Sequence, residues 1–220
     1  MITEEYARIS VPDFLRRHLR QLTLKEVGAI FMALHIACHH LNGLTRRSGG
    51  QAIEHAMLVA NKTIDFGLSV SAIVVAILHD ILEDSKLNPS LFEIEKAFED
   101  CGSTVAAMLV ALTEAPWSTK VDYYEQIFEA TKTFWEVIFI KLFDRLDGQE
   151  WPYDKEDSRD YINRARSYYQ ETLREFAELC AKCRPYIPED RLEQFDELVD
   201  KIMLLAQQHL AELDALLVAS

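Results

Sequence analysis

The sequence predicts an all-α protein, and three observations carry that reading. Apolar residues recur at three- and four-residue spacing along most of the 220 positions, the period that gathers them on one face of a helix. No stretch alternates apolar and polar residues in the manner of a half-buried strand. Seven glycines and six prolines are too few for the turns that an all-β chain needs. With 49% apolar and 27% charged residues, the chain has the composition of a globular protein able to bury its own core.

Taken in order, a first short helix is expected over Val11–Gln21, after which Thr23 and Glu26 have capping-box spacing. Val27, Ile30, Phe31, Leu34, Cys38 and Leu41 then mark an amphipathic helix over Leu24–Leu41. His35 and His39 stand at i and i+4 on it, as a metal pair or as flank histidines. The loop Asn42–Gly50 sets Arg46, Arg47 and Ser48 among glycines, where guanidinium forks and backbone donors can meet a phosphate, or simply join two helices. Gln51–Asp65 resumes helix up to Gly67 and carries His55.

Ser71–Ser85, SAIVVAILHDILEDS, reads as a buried helix that closes on four polar groups. His79 and Asp80 are followed at i+4 by Glu83 and Asp84, which puts the four on one side. Ser90 with Glu93 has the spacing of a second capping box, opening Leu91–Asp100. Ser103–Glu114, Asp122–Thr131 and Thr133–Leu146 follow as helices. The last of these repeats the earlier design, an apolar run ending in Lys141, Asp144, Arg145 and Asp147. Ser158–Cys183 reads as one long helix, and after a break at Arg184–Pro188 a final helix covers Asp190–Val218. The spacing of that helix fits a hairpin folded on the domain or self-association, so the chain is expected as a monomer or homodimer. Residues 1–157 are expected to form the core and 158–220 helices packed on it, one structural domain overall.

A net charge of −13 argues against nucleic acid or an anionic membrane surface, which bind clustered Lys and Arg. An anionic small molecule remains compatible with it, given a metal and local basic residues. Four scattered cysteines, Cys38, Cys101, Cys180 and Cys183, and an N-terminus without a signal-peptide pattern lead to a cytoplasmic expectation. The Cys180-x-x-Cys183 pair lacks a second thiolate pair and reads as packing.

His55, His79, Asp80 and Asp144 form a donor set of two imidazoles and two carboxylates. Without thiolate, it suits Mn²⁺, Fe²⁺ or Mg²⁺ better than structural zinc. Such an ion would polarise a phosphoryl oxygen and acidify bound water. Glu83 and Asp84, one turn on, could orient that water or take its proton. The bland alternative, a solvated acidic helix end, accounts for Glu83 and Asp84 but not for His79 and Asp80 after an apolar run.

The pieces Arg46-Arg47-Ser48-Gly49 with His55, His79-Asp80-Ile81-Leu82-Glu83-Asp84 and Lys141-Leu142-Phe143-Asp144-Arg145 resemble, in order and spacing, the hydrolase domain of RelA/SpoT homologues. That domain belongs to the HD superfamily of metal-dependent phosphohydrolases. The resemblance spans about residues 24–180 and implies an HD helical bundle with a C-terminal helical hairpin. It implies Mn²⁺ on His55, His79, Asp80 and Asp144, water handled by Glu83 and Asp84, and a nucleotide met by Arg46 and Ser48, with Lys141 and Arg145 holding charge. The implied reaction removes pyrophosphate from the 3′ position of ppGpp or pppGpp, giving GDP or GTP. A stand-alone alarmone hydrolase is expected, with a partner synthetase as its counterpart.

The family's Asp-Arg-Leu-His-Asn continues here as Asp144-Arg145-Leu146-Asp147-Gly148, and its Pro-Tyr before the His is Gln51-Ala52. These departures leave two alternatives: another phosphorylated nucleotide (an adenosine alarmone, NADPH or a nucleoside monophosphate), or a non-catalytic nucleotide-binding regulator.

Overall fold

In the computed structural model the described residues, 22–46, 50–98, 100–150 and 159–219, are helical apart from turns and an isolated bridge between Thr45 and Gln51. The all-α expectation holds for them. The expected helix over 11–21, the loop residues 47–49 and the connection 151–158 lie outside the described residues. The chain divides into two compact units, Met1–Pro116 and Trp117–Ser220. Helices 120–131 and 136–150 pack with the C-terminal ones, as where the Phe139 ring meets Phe195 edge-on at 5.7 Å.

In the first unit, α1 (Leu24–Leu41) opens on the expected capping box. Thr23 Oγ1 accepts from Glu26 N–H at 3.3 Å, and Glu26 Oε2 accepts from Thr23 N–H at 2.7 Å. After α2 (Ala52–Asp65) the chain turns through Gly67, whose φ of +70° favours glycine. It then enters α3 (Val70–Leu78), capped by Ser69. Every residue from Ala72 to Leu78 is at most 2% exposed, because α3 packs against α1, α2 and α6 (Gly102–Leu112). Burying Ile73, Val74, Val75, Ile77 and Leu78 is worth on the order of 10 kcal/mol before chain entropy is set against it.

The single helix expected over Ser71–Ser85 is two. α3 stops at Leu78, and a four-residue α4 (Ile81–Asp84) follows. The cause is His79, whose Nδ1 donates to the Ala76 carbonyl at 2.8 Å. In an uninterrupted helix that carbonyl would receive the Asp80 N–H. Ser90 is the N-cap of α5 (Leu91–Ala97) but makes no side-chain cap bond, so the second expected box does not form.

The second unit contains α7 (Lys120–Thr131) and α8 (Glu136–Glu150). A capping box the sequence reading missed, Thr119 with Asp122, opens α7. Its signal was the same Thr spacing, with Asp in place of Glu. The expected long helix over 158–183 is interrupted: α9 (Arg159–Glu171), a π turn over Thr172–Phe176, then α10 (Ala177–Cys183). α11 (Leu192–Ala219) folds back along them as an antiparallel hairpin. Arg184 pairs with Asp196 beside the turn, and Arg166 with Asp214 at the far end, at 2.7 and 2.6 Å. Among the described residues no helix is long and apolar enough to cross a membrane.

Candidate metal centre

His55 is carried by α2, and His79 with Asp80 occupies the break between α3 and α4. Two buried helices thus bring both imidazoles to one point: His55 and His79 are 2% and 5% exposed. Their Nε2 atoms lie 3.1 Å apart. Asp80 Oδ1 is 3.1 Å from His79 Nε2, and Asp80 Oδ2 is 3.6 Å from His55 Nε2. One ligand atom from each of the three falls within 4.8 Å of the others.

The tautomer of His79 follows from its neighbour. A backbone carbonyl only accepts, so Nδ1 carries the hydrogen that bonds Ala76. In the neutral ring Nε2 is then a bare lone pair, and it points at a carboxylate oxygen that is also acceptor-only. Two lone pairs at 3.1 Å repel unless a proton or a metal ion stands between them. A divalent ion fits this set of imidazole and carboxylate donors, and the Nδ1–carbonyl bond is the kind of outer support that metal-bound histidines use.

Glu83 and Asp84 differ in their surroundings. Glu83 Oε1 accepts from the Glu114 N–H at 2.6 Å, tying α4 to the segment after α6. Asp84 lies within electrostatic range of the triad. Partial burial and then the Asp80 charge raise its pKa from the ordinary aspartate value, while Arg46, His79 and His55 pull it back. Arg46 is thereby placed within electrostatic reach of Asp84. Its loop is pinned at the base by Arg46 N–H to Gly50 O at 3.1 Å and Ala52 N–H to Leu44 O at 2.9 Å. Ser48 lies outside the described residues.

The remaining expected residues belong to α8 in the second unit. Asp144 accepts from Lys141 Nζ at 2.7 Å. Desolvation lowers the Lys141 pKa, but the Asp144 charge and hydrogen bond together with Tyr123 outweigh it and hold Lys141 well above the usual lysine range. Arg145 is 5% exposed. Its guanidinium donates to Glu171 Oε2 at 2.9 Å, Thr172 Oγ1 at 3.1 Å and the Tyr124 hydroxyl, and it lies 4.6 Å over the Tyr168 ring. The donors it would offer a phosphate are taken up inside its own unit. Gly148, one turn beyond Asp144, leaves room for Tyr168. A Cβ there would sit 2.8 Å from the Tyr168 hydroxyl. Neither partner of Arg145 on Glu171 and Thr172 was identified from sequence, because nothing local links residues 26 and 27 positions apart.

An all-α fold with paired imidazoles and an adjacent His-Asp carboxylate is an arrangement that could hold a metal ion. No family model matches the sequence. Among curated proteins, the guanosine-3′,5′-bis(diphosphate) 3′-pyrophosphohydrolase of Aquifex aeolicus is 29% identical over 130 residues, covering 56% of this chain and 18% of that protein. The putative GTP diphosphokinase RSH1, chloroplastic, of Arabidopsis thaliana is 27% identical over 220 residues, covering 87% of this chain and 23% of that protein. The chain thus spans about a fifth of the length of the curated relatives it matches. A solved structure described as a metazoan ortholog of SpoT that hydrolyzes ppGpp superposes with a TM-score of 0.59 at 16% identity, covering 86% of this chain and 98% of that one, a likeness of fold. The chain is thus similar to RelA/SpoT homologues in sequence and to a SpoT ortholog in fold.

Proposed function

We infer that the protein is a metal-dependent phosphohydrolase that removes the 3′-pyrophosphate of ppGpp or pppGpp. The observation that carries this reading is the convergence of His55, His79 and Asp80, two of whose acceptors face each other at 3.1 Å. The names of the relatives support the substrate. His55, His79 and Asp80 hold the ion, Mn²⁺ by resemblance, and Asp144 is the fourth donor the resemblance implies. When bound, a divalent ion supplies the charge that polarises a phosphoryl oxygen and acidifies water.

The chain's own residues do the rest. Asp84 accepts the proton of the attacking water, while Glu83, held by the Glu114 amide, fixes the end of α4. Arg46 offers its guanidinium to the phosphates. Water oxygen bonds to the phosphorus attached at O3′, the O3′–P bond breaks, O3′ takes a proton, and pyrophosphate leaves.

The test is to incubate Mn²⁺-loaded protein with ppGpp and measure pyrophosphate and GDP. Equimolar release is expected, and none at high enzyme with folded protein overturns the reading. Gly148 beneath Tyr168, where the family has Asn, favours a second reading in which the same site takes another phosphorylated nucleotide. A nucleotide panel separates the two, since preference for ppGpp by orders of magnitude rules the second out.

A further inference from the structure

α4 has four residues, too few to hold its own geometry in water. Its ladder consists of Glu83 and Asp84 N–H to Asp80 O at 3.2 and 2.9 Å, and Ser85 N–H to Ile81 O at 3.3 Å. Asp84 stands at its end, so whatever directs Asp84 must come from outside α4. On one side that is the Glu83–Glu114 bond.

On the other side is Ser85, 8% exposed. Its Oγ accepts from the Leu87 N–H at 3.1 Å and lies 2.8 Å from Nδ1 of His40. His40 belongs to α1, 45 positions earlier in the chain, and takes no part in the chemistry above. A hydroxyl that accepts from one group has a hydrogen and a lone pair left, so either neutral tautomer of His40 completes it. Burial, followed by the neighbouring His39, lowers the His40 pKa against the opposing pull of Glu93, which keeps the ring neutral near pH 7.

We propose that His40 and Ser85 are a positioning pair that anchors the C-terminal end of α4 to α1 and so fixes the Asp84 carboxylate toward His55, His79 and Asp80. This rests on the phosphohydrolase reading for its kinetic consequence but not for its structural one.

The experiment compares His40→Leu, Ser85→Ala, the double variant, and the conservative His40→Asn and Ser85→Thr. Three quantities are read: kcat and KM for pyrophosphate release, bound Mn²⁺ per chain, and amide hydrogen exchange over residues 83–87. The disruptive single variants lower kcat about tenfold, with KM within twofold and metal content unchanged. They also speed exchange at 83–87 at least tenfold while α1 stays protected. The double variant is no worse than the worse single one, and the conservative variants recover most of the rate. Exchange or kcat within twofold of the parent protein in His40→Leu, or losses that multiply in the double variant, overturns the proposal. If the parent protein releases no pyrophosphate, the phosphohydrolase reading fails, and the exchange result alone decides the pair.

Discussion

Replacing Arg145 with Met tests whether its charge serves the fold or a ligand. The side chain is 5% exposed and Glu171 14%, and the guanidinium bonds Glu171 through both terminal nitrogens, at 2.9 and 3.3 Å. Breaking a buried ion pair from one side costs about 3–5 kcal/mol, because the other charge is left uncompensated. Here the Tyr124 hydroxyl still donates to Glu171, which moves the cost to the lower half of that range. Loss of the contacts over Tyr168 and Phe176, at 4.6 and 4.8 Å, adds about 0.5–1 kcal/mol each. The sum is about 4–6 kcal/mol. Urea denaturation followed by tryptophan fluorescence and by circular dichroism reads it as a lower midpoint at constant slope. Replacing Glu171 with Met as well removes the orphaned charge and returns stability to within about 2 kcal/mol of the parent protein. A loss below about 1 kcal/mol in Arg145→Met, accompanied by a raised KM for substrate, would refute the structural role and assign Arg145 to a ligand.

Gly102→Ala pits propensity against packing. The new methyl gains about 1 kcal/mol of helix propensity, but it would stand 1.9 Å from the Glu95 carbonyl oxygen. A net loss of about 1–3 kcal/mol is expected by chemical denaturation, and a gain would show that α5 and α6 can part without cost. Thiol labelling near pH 8 is expected to reach exposed Cys38 in the folded protein and to spare Cys180 and Cys183. Burial pushes the Cys183 thiol up to about 11 and raises Cys180 further, so labelling of either in native buffer would contradict their packing. Because the folded His40 pKa is lowered from 6.5, the unfolded chain takes the proton first. Stability is therefore full above pH 6.5 and declines as pH falls through it. His40→Asn is expected to remove that part of the slope between pH 7 and 5, and an unchanged slope would place the effect elsewhere. Asp84→Asn is expected to keep bound metal and lose rate, whereas His79→Ala loses both, as metal analysis beside turnover can show.

What was legible in the sequence was local or periodic. Thr23 with Glu26 gave both bonds of its box, and the apolar run before His79 marked α3 as buried. The same run implied that His79 and Asp80 were held at an uncommon place. Readings failed where a side chain competed with the backbone or where partners lay far apart in sequence. The His79–Ala76 bond that ends α3 is a choice between two donors for one carbonyl, and no spacing rule encodes it. Ser90 and Glu93 have the right spacing without the bond. The π turn at Thr172 coincides with the residue that meets Arg145, and a uniform helical period concealed it. Asp144, expected as a fourth donor, was read from motif alone, and in the structure it pairs with Lys141.

Gly148 has a consequence for how this chain could change. Tyr168 fills the volume in front of it, 2.8 Å from where a Cβ would begin, and its ring is held by Arg145 at 4.6 Å. Reverting Gly148 to the family's Asn in one step would drive a side chain into that hydroxyl. Shrinking Tyr168 first would uncover the Arg145 cation. The two positions are therefore coupled: a side chain at 148 requires Tyr168 to move or shrink, so the effects of changing both are expected to differ from the sum of the single changes.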